Sequence, residues 1–233
     1  MHRFLVLGLA VTSLCSMRAQ APQAGRPLDW DKLQVEILER YRALVMLDTT
    51  SGHETLAVDY LKKVLEAEGI PTKTFAMNPN RANLVARLKG NGSKRPLLIL
   101  AHTDVVGVQR EKWPVDPFGA VIKDGYVWGR GTKDDKPVLT ANLITMLLLK
   151  RSGLPLDQIY PGATVLPSMS TGASDQAQLR AKGIQSYGIG PASTEKDALD
   201  YGAHGDVERL AVSSLLPFVQ YVWNVVTEVA GHK

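Results

Sequence analysis

Cysteine is nearly absent from this chain: 233 residues contain one, Cys15, and it lies in an N-terminal stretch that reads as a removable signal. Without that stretch there is no thiol, so disulfides, thiolate nucleophiles and thiolate zinc ligands are excluded. Any metal chemistry then falls to His, Asp and Glu. No Gly-x-Ser-x-Gly elbow occurs, which leaves a serine hydrolase without a visible nucleophile. No Gly-Lys-Ser/Thr ending closes the loop around Gly131, and acids stand where a phosphate would sit. Internal repeats and low-complexity tracts are missing too. The net charge is only +4 and falls by two without Arg3 and Arg18, so nothing resembles a basic face for nucleic acid.

At the N-terminus, His2 and Arg3 precede the apolar run Phe4 to Val11, and small residues lead to Ala19-Gln20-Ala21. That order reads as a secretory signal, cleaved after Ala19 or Ala21, rather than as an uncleaved apolar helix, with a run too short for a stable membrane span. Thr12-Ser13-Leu14 before Cys15 is a poor context for lipid attachment. The expected destination is secreted or periplasmic. Residues 1–21 are read as signal peptide, 22–29 as linker and 30–233 as one domain, with 45% hydrophobic residues to supply a core.

Helical spacing of Leu33, Ile37, Leu38, Tyr41, Leu44 and Val45 predicts an amphipathic helix from Trp30 to Leu47. A second helix is expected from about Glu54 to Glu68, capped by Thr50 or Ser51 and stopped by Gly69 and Pro71. Short β runs follow at Thr72 to Met77 and Asn83 to Leu88. The wholly apolar Leu97 to Ala101 reads as a strand covered on both faces, with His102 at its C-terminal end, where α/β proteins place their chemistry. Next come a β pair, Gly119 to Lys123 with Tyr126 to Trp128, and a helix from Lys136 to Lys150 with Pro137 in its first turn. Beyond Ser152 the expectations are a short helix at Asp175 to Lys182, an edge strand at Gln185 to Gly188, a loop from Pro191 to Gly205 and a helix from Asp206 to Val229. The fold class is α/β.

Three stretches can carry chemistry. His102-Thr103-Asp104 offers an imidazole ligand and a carboxylate to orient it, or simply a strand-end histidine meeting solvent. In Gly129 to Lys136, an aspartate can bridge two divalent ions, while Asp134 and Asp135 equally suit the positive end of the following helix. His204, between glycines in Tyr201 to Arg209, reads by itself more readily as a surface histidine than as a ligand.

Taken together and in order, these stretches resemble the zinc exopeptidase and amidohydrolase family of aminoacylase, carboxypeptidase G, succinyl-diaminopimelate desuccinylase and carboxypeptidase S-like enzymes. The likeness rests on Ser51-Gly52-His53-Glu54, His102-Thr103-Asp104, Trp113-Pro114, Asp116-Pro117-Phe118, Gly129 to Lys136, Ser170 to Asp175, Ser186-Tyr187-Gly188 and His204-Gly205. It implies a helix-flanked mixed sheet and two zinc ions, with cobalt or manganese also suited to such donors. By the same likeness His102 and His204 each hold one metal, Asp134 bridges them, Asp104 orients His102, and Asp175 and Gly131 stand beside the site. The implied substrate is a small peptide or N-acyl amino acid cleaved at a terminal amide, with no nucleic-acid partner and no membrane once the signal is removed.

The sequence departs from that family in one respect that governs mechanism. A Glu-Glu pair, whose first member takes the proton of the attacking water and whose second binds metal, does not occur. The chain passes from Asp157 to Tyr160 as if across an internal deletion, which removes a core strand and the lid domain used in substrate binding and dimerisation. Each ion is left with two protein ligands where catalytic zinc usually has three. Asp157, Glu195, Asp197, Asp200 and Glu208 are the acids available as substitutes, and spacing selects none. The expectation is therefore an incomplete catalytic domain of impaired activity, without family-type dimerisation. The alternative is a remnant or weak metal-binding protein without turnover.

Overall fold

The computed structural model describes residues 28–92, 96–154, 176–184 and 186–230. The expected signal at 1–21, nearly all of the expected linker, the suspected junction at 157–160 and Asp175 lie outside them.

Helix α1 (Trp30–Val45) starts where the Asp29 carboxylate accepts the Lys32 amide at 3.2 Å. It turns Ile37, Tyr41, Leu44 and Val45 inward. Helix α2 (Thr55–Ala67) buries Ala57, Val58, Leu61, Val64 and Leu65, again one stripe at helical spacing. The cap expected at Thr50 or Ser51 is not used: the N-cap is Glu54 and makes no side-chain cap bond. The Thr50 hydroxyl instead donates to Asp48 Oδ1 at 2.8 Å, satisfying its own turn rather than the helix.

Strands β1 (Thr72–Phe75) and β2 (Asn83–Ala86) form an antiparallel pair, and β3 (Val121–Lys123), β4 (Tyr126–Trp128) and β5 (Arg209–Ala211) a three-stranded antiparallel sheet in that order. The β3–β4 hairpin closes through Asp124 and Gly125, both at positive φ (53° and 79°), the twist a two-residue loop requires. Helix and sheet are thus combined as expected. The mixed sheet is reduced, among the described residues, to these two antiparallel pieces and one isolated parallel bridge between Thr50 and Val105.

The main correction falls on Leu97 to Ala101. Among the described residues this segment joins no ladder, and Leu97, Leu98 and Leu100 are 41%, 62% and 50% exposed. Apolar composition can fill a doubly covered strand but cannot supply its neighbours; strand formation needs a hydrogen-bonding partner along at least one edge. Similarly, residues 186–190 form no strand.

Helix α3 (Lys136–Ser152) carries Pro137 in its first turn as predicted, and is buried nearly all round. Helix α4 (Gln176–Ala181) falls within its predicted span. Helix α5 (Glu195–Asp200) lies where a loop was expected; Thr194 caps it by accepting the Asp197 amide. The final predicted helix divides into β5 and α6 (Val212–Ala230), because Arg209 to Ala211 pair with β4 before the chain turns helical.

The core forms where α1, α3 and α6 meet beneath the three-stranded sheet, joining Tyr41, Leu44, Ile144, Leu147, Val219 and Val222 to Val127 and Leu210. Arg151 at the end of α3 bonds both Glu36 of α1 and Glu68 just after α2, fastening the three helices at one end. The other end of α3 carries the loop with Asp134. No helix among the described residues is long and apolar enough to cross a membrane.

Candidate metal centre

The loop from Gly129 to Asp135 is shaped from beneath. Tyr41 of α1, fully buried, donates its hydroxyl to the Thr132 carbonyl at 2.7 Å. Lys136 reaches back under the loop to donate to the Leu47 carbonyl at 2.6 Å, and burial lowers its pKa to about 7. Gly131 has φ +83°, and a Cβ there would lie 2.7 Å from Val105 Cγ1 and 3.0 Å from Lys136 Cδ. A side chain would strike a valine whose own amide is tied to Thr49 O at 3.1 Å. The peptide between Asp134 and Asp135 is cis.

Asp134, held on this loop, stands between two imidazoles that come from positions 32 residues before it and 70 after it. Its Oδ1 lies 2.9 Å from His102 Nε2 and its Oδ2 lies 2.8 Å from His204 Nε2. His102 turns its other nitrogen to Asp104, with Nδ1 3.1 Å from the carbonyl oxygen and 3.2 Å from Oδ1. The second nitrogen of a metal-bound histidine normally has such a partner. The structure therefore brings His102, Asp104, Asp134 and His204 together, with Gly131 beneath.

His204 sits in the left-handed backbone region, with φ +69°. For a residue with a Cβ this costs on the order of 1–2 kcal/mol, although histidine is among the side chains that visit the region more often. The bend turns its ring to Asp134, between Gly202 and Gly205. The loop itself is steadied by Arg209, whose guanidinium stacks 3.5 Å from the Tyr201 ring centroid and 3.8 Å from that of Tyr126 while bonding Asp197 Oδ1 at 3.0 Å.

The electrostatics follow from these contacts. The hydrogen bond to Asp134 raises the pKa of His102 to about 9, against the opposing effect of burial and with help from the charges of Asp135, Asp134 and Asp104. The same bond, with that of His204, holds the Asp134 carboxyl below its ordinary range. Burial pushes Asp135 up to about 7; its Oδ2 accepts the His102 amide at 3.4 Å.

In kind, these donors suit a pair of divalent cations: one imidazole Nε2 and one carboxylate oxygen face each position. In a tetrahedral zinc site two such donors stand roughly 3.4 Å apart, wider than either pair here, so each would have to open to admit an ion. In number they fall short. Among the described residues no three His, Cys, Asp or Glu side chains are placed to hold one ion between them. The three residues converge pairwise on one carboxylate rather than as a single triad.

The acids considered as substitutes are engaged elsewhere. Asp197 pairs with Arg209 and Tyr126, and Asp200 with Lys196. Glu208 is buried beneath the loop. Asp157 and the side chain of Glu195 lie outside what is described. Beside His102 and Asp104 opens a cavity of about 420 Å³. Leu61, Leu65, Leu139, Leu143 and Met146 line it, with Glu54 and Arg81 among its polar residues.

Residues 98–160, which include His102, Asp134 and helix α3, match the model of peptidase family M20/M25/M40. A probable succinyl-diaminopimelate desuccinylase of Staphylococcus epidermidis is 40% identical over 111 residues, 47% of this chain and 27% of that protein. An N-formyl-4-amino-5-aminomethyl-2-methylpyrimidine deformylase of Halalkalibacterium halodurans is 32% identical over 145 residues, 60% of this chain and 33% of that one. Among solved structures, human carnosine dipeptidase 1 is similar with a TM-score of 0.46 and 20% identity, over 55% of this chain and 31% of that one. The resemblance to the zinc exopeptidase and amidohydrolase family read from the sequence is shown by the family model and the curated relatives. The chain spans about a third of the length of the curated relatives it matches.

Proposed function

We propose that this chain is a metal-binding amide hydrolase of reduced turnover, acting on small peptides or N-acyl amino acids, and that residues 1–21 direct it out of the cytoplasm. His102 with one oxygen of Asp134, and His204 with the other, would each hold a divalent cation, zinc first and cobalt or manganese as alternatives. The observation that carries the reading is the Asp134 carboxylate set between two Nε2 atoms at 2.9 and 2.8 Å. Such ions, when bound, polarise a scissile carbonyl and acidify water.

The residues of the chain supply the remainder. Asp104 fixes the ring of His102 so that Nε2 faces Asp134. The cavity beside His102, with Leu61, Leu65, Leu139, Leu143 and Met146 on one part of its wall and Glu54 and Arg81 on another, would receive the side chain or acyl group of a substrate. The sequence carries no Glu-Glu pair, whose first member would take a proton from the attacking water. Loss of such a general base costs on the order of a hundred- to ten-thousandfold in rate, which is the basis for reduced turnover.

Hydrolysis of a panel of dipeptides and N-acyl amino acids, with zinc, cobalt or manganese added, tests the proposal. Weak hydrolysis that disappears in a His102→Ala variant supports it; activity equal to that variant on every substrate refutes it. The shortage of donors favours a second reading, a metal-binding protein without turnover. Calorimetric titration with zinc that finds binding alongside absent hydrolysis selects that reading.

A further inference from the structure

Directly below the Asp134 loop lies a buried ion pair that the proposed chemistry does not use. Arg130 and Glu208 are each 1% exposed, and Arg130 Nη1 donates to Glu208 Oε2 at 2.8 Å. The remaining acceptor capacity of the carboxylate is turned on the main chain of the loop. Oε2 accepts the Gly131 amide at 3.2 Å, and Oε1 accepts the Lys133 amide at 2.6 Å and the Asp134 amide at 3.4 Å. One buried side chain thus gathers three amides of a loop that has no ladder or helix to satisfy them. Leaving such groups bare inside a protein is costly.

We propose that Glu208 is a positioning residue for the centre: its carboxylate fixes the main chain from Gly131 to Asp134, so that Asp134 keeps one oxygen toward each imidazole. This rests on the metal reading above. The connectivity strengthens it. Glu208 follows His204 by four residues in Tyr201 to Arg209, and its carbonyl also accepts the Gly129 amide at 3.1 Å. The segment that delivers one imidazole therefore also clamps the loop that delivers the carboxylate. A shift of one is transmitted to the other.

A merely structural ion pair behaves differently. Buried pairs can be exchanged for apolar residues of similar size with the fold kept, and a structural pair so exchanged leaves Asp134 where it was. A positioning carboxylate cannot be exchanged in that way, because its acceptors hold the loop amides.

The test uses the full chain. Glu208→Gln preserves size, but its amide group presents N–H on one side, so either Arg130 or the loop amides lose their acceptor. A cooperative melt establishes folding. Two readouts then follow: in metal-free protein, the downfield proton resonance of His102 Nε2–H bonded to Asp134; and zinc affinity by calorimetry. The expected result is a folded variant in which that resonance is lost or displaced and zinc affinity falls at least tenfold. A folded variant with the resonance in place and affinity within twofold of the parent overturns the assignment. Should Glu208→Gln not fold, the double variant Arg130→Met with Glu208→Met carries the same two outcomes. Failure of both variants to fold also overturns it, since Glu208 then serves the fold as a whole. Absence of zinc binding in the parent protein refutes the metal reading alone, and the resonance still decides for Glu208.

Discussion

Replacing Gly131 by alanine tests directly whether the loop owes its shape to crowding from below. Two costs add. The backbone at φ +83° lies in the left-handed region, which costs an L-residue about 1–2 kcal/mol. The new methyl meets Val105 Cγ1 at 2.7 Å and Lys136 Cδ at 3.0 Å, and neither neighbour withdraws freely. Val105 is bridged to Thr50, and the Lys136 ammonium is anchored on the Leu47 carbonyl. Overpacking of this kind costs about 1–3 kcal/mol. The sum, about 2–5 kcal/mol by the same two estimates, is a large part of the roughly 5–15 kcal/mol that holds a domain together. Gly125→Ala separates the two contributions. Gly125 has φ +79°, but nothing lies within 4 Å of where its methyl would stand, so only the backbone cost applies, and the gain from a stiffer unfolded chain is common to both variants. Urea denaturation of the two variants and the parent measures the difference. Gly131→Ala should be the less stable of the two by about 1–3 kcal/mol. Equality within about 0.5 kcal/mol, small against that expected overpacking cost, refutes the crowding argument.

Three further outcomes are expected. In metal-free protein, the His102 ring titrates near 9 and falls below that value in Asp134→Asn, followed by proton resonance across the pH range. Because its folded pKa is raised, the stabilisation from this pair is complete below about 6.5 and is lost as pH rises through about 9. With the side chain 39% exposed, it amounts to no more than about 1 kcal/mol. The stability gap between the parent and His102→Gln should close over that window; a gap that widens contradicts the sign. His204→Gly should be at least as stable as His204→Ala, by about 1 kcal/mol, reversing the usual penalty for glycine, since only glycine relieves φ +69°. A lower melting temperature for the glycine variant removes the argument from strain. Leu147→Ala, at a fully buried position of α3, should cost about 2–5 kcal/mol, whereas Leu98→Lys, at a residue 62% exposed, should stay within about 0.5 kcal/mol; a comparable loss in both shows that Leu98 is covered.

What the sequence reveals follows the range of the interactions involved. Helices α1, α2 and α3 are legible because their information is local: a stripe at helical spacing, Pro137 in a first turn, Gly153 after the last. Leu97 to Ala101 misleads because its apolar run states only that cover is wanted, and its partners are a property of the rest of the chain. The division of β5 from α6 is invisible for a related reason: pairing of Arg209 to Ala211 with β4 overrides a continuing apolar pattern. Helix α5 does leave a signal, the Thr194 cap with Asp197 three residues on, set in a polar stretch that reads as loop. Among the site residues, His102, Asp134 and His204 emerge through family likeness, since nothing near His204 in sequence distinguishes a ligand from a surface histidine. Glu208 stands out only as one acid of five. Its task is defined by amides that lie 74 to 77 residues earlier.

The residues gathered at Asp134 are supported unequally. Asp134 is over-determined: Tyr41, Lys136, Val105 and Glu208 each constrain its loop through a different contact, and all four belong to helices or strands of the core or to residues tied to them. His204 shares that support through Glu208 and the stacked Arg209. His102 has no ladder behind it. It closes a segment whose leucines face solvent while Ile99 and Ala101 pack against the core, and its side chain is held by Asp104 and Asp134, with Asp135 on its amide. Charged contacts at a partly exposed site yield readily to pH and salt, while packed loops do not. Among the described residues the Asp134 carboxylate is therefore the most firmly held member of the group, and the two imidazoles, 39% and 61% exposed, take their places largely through it.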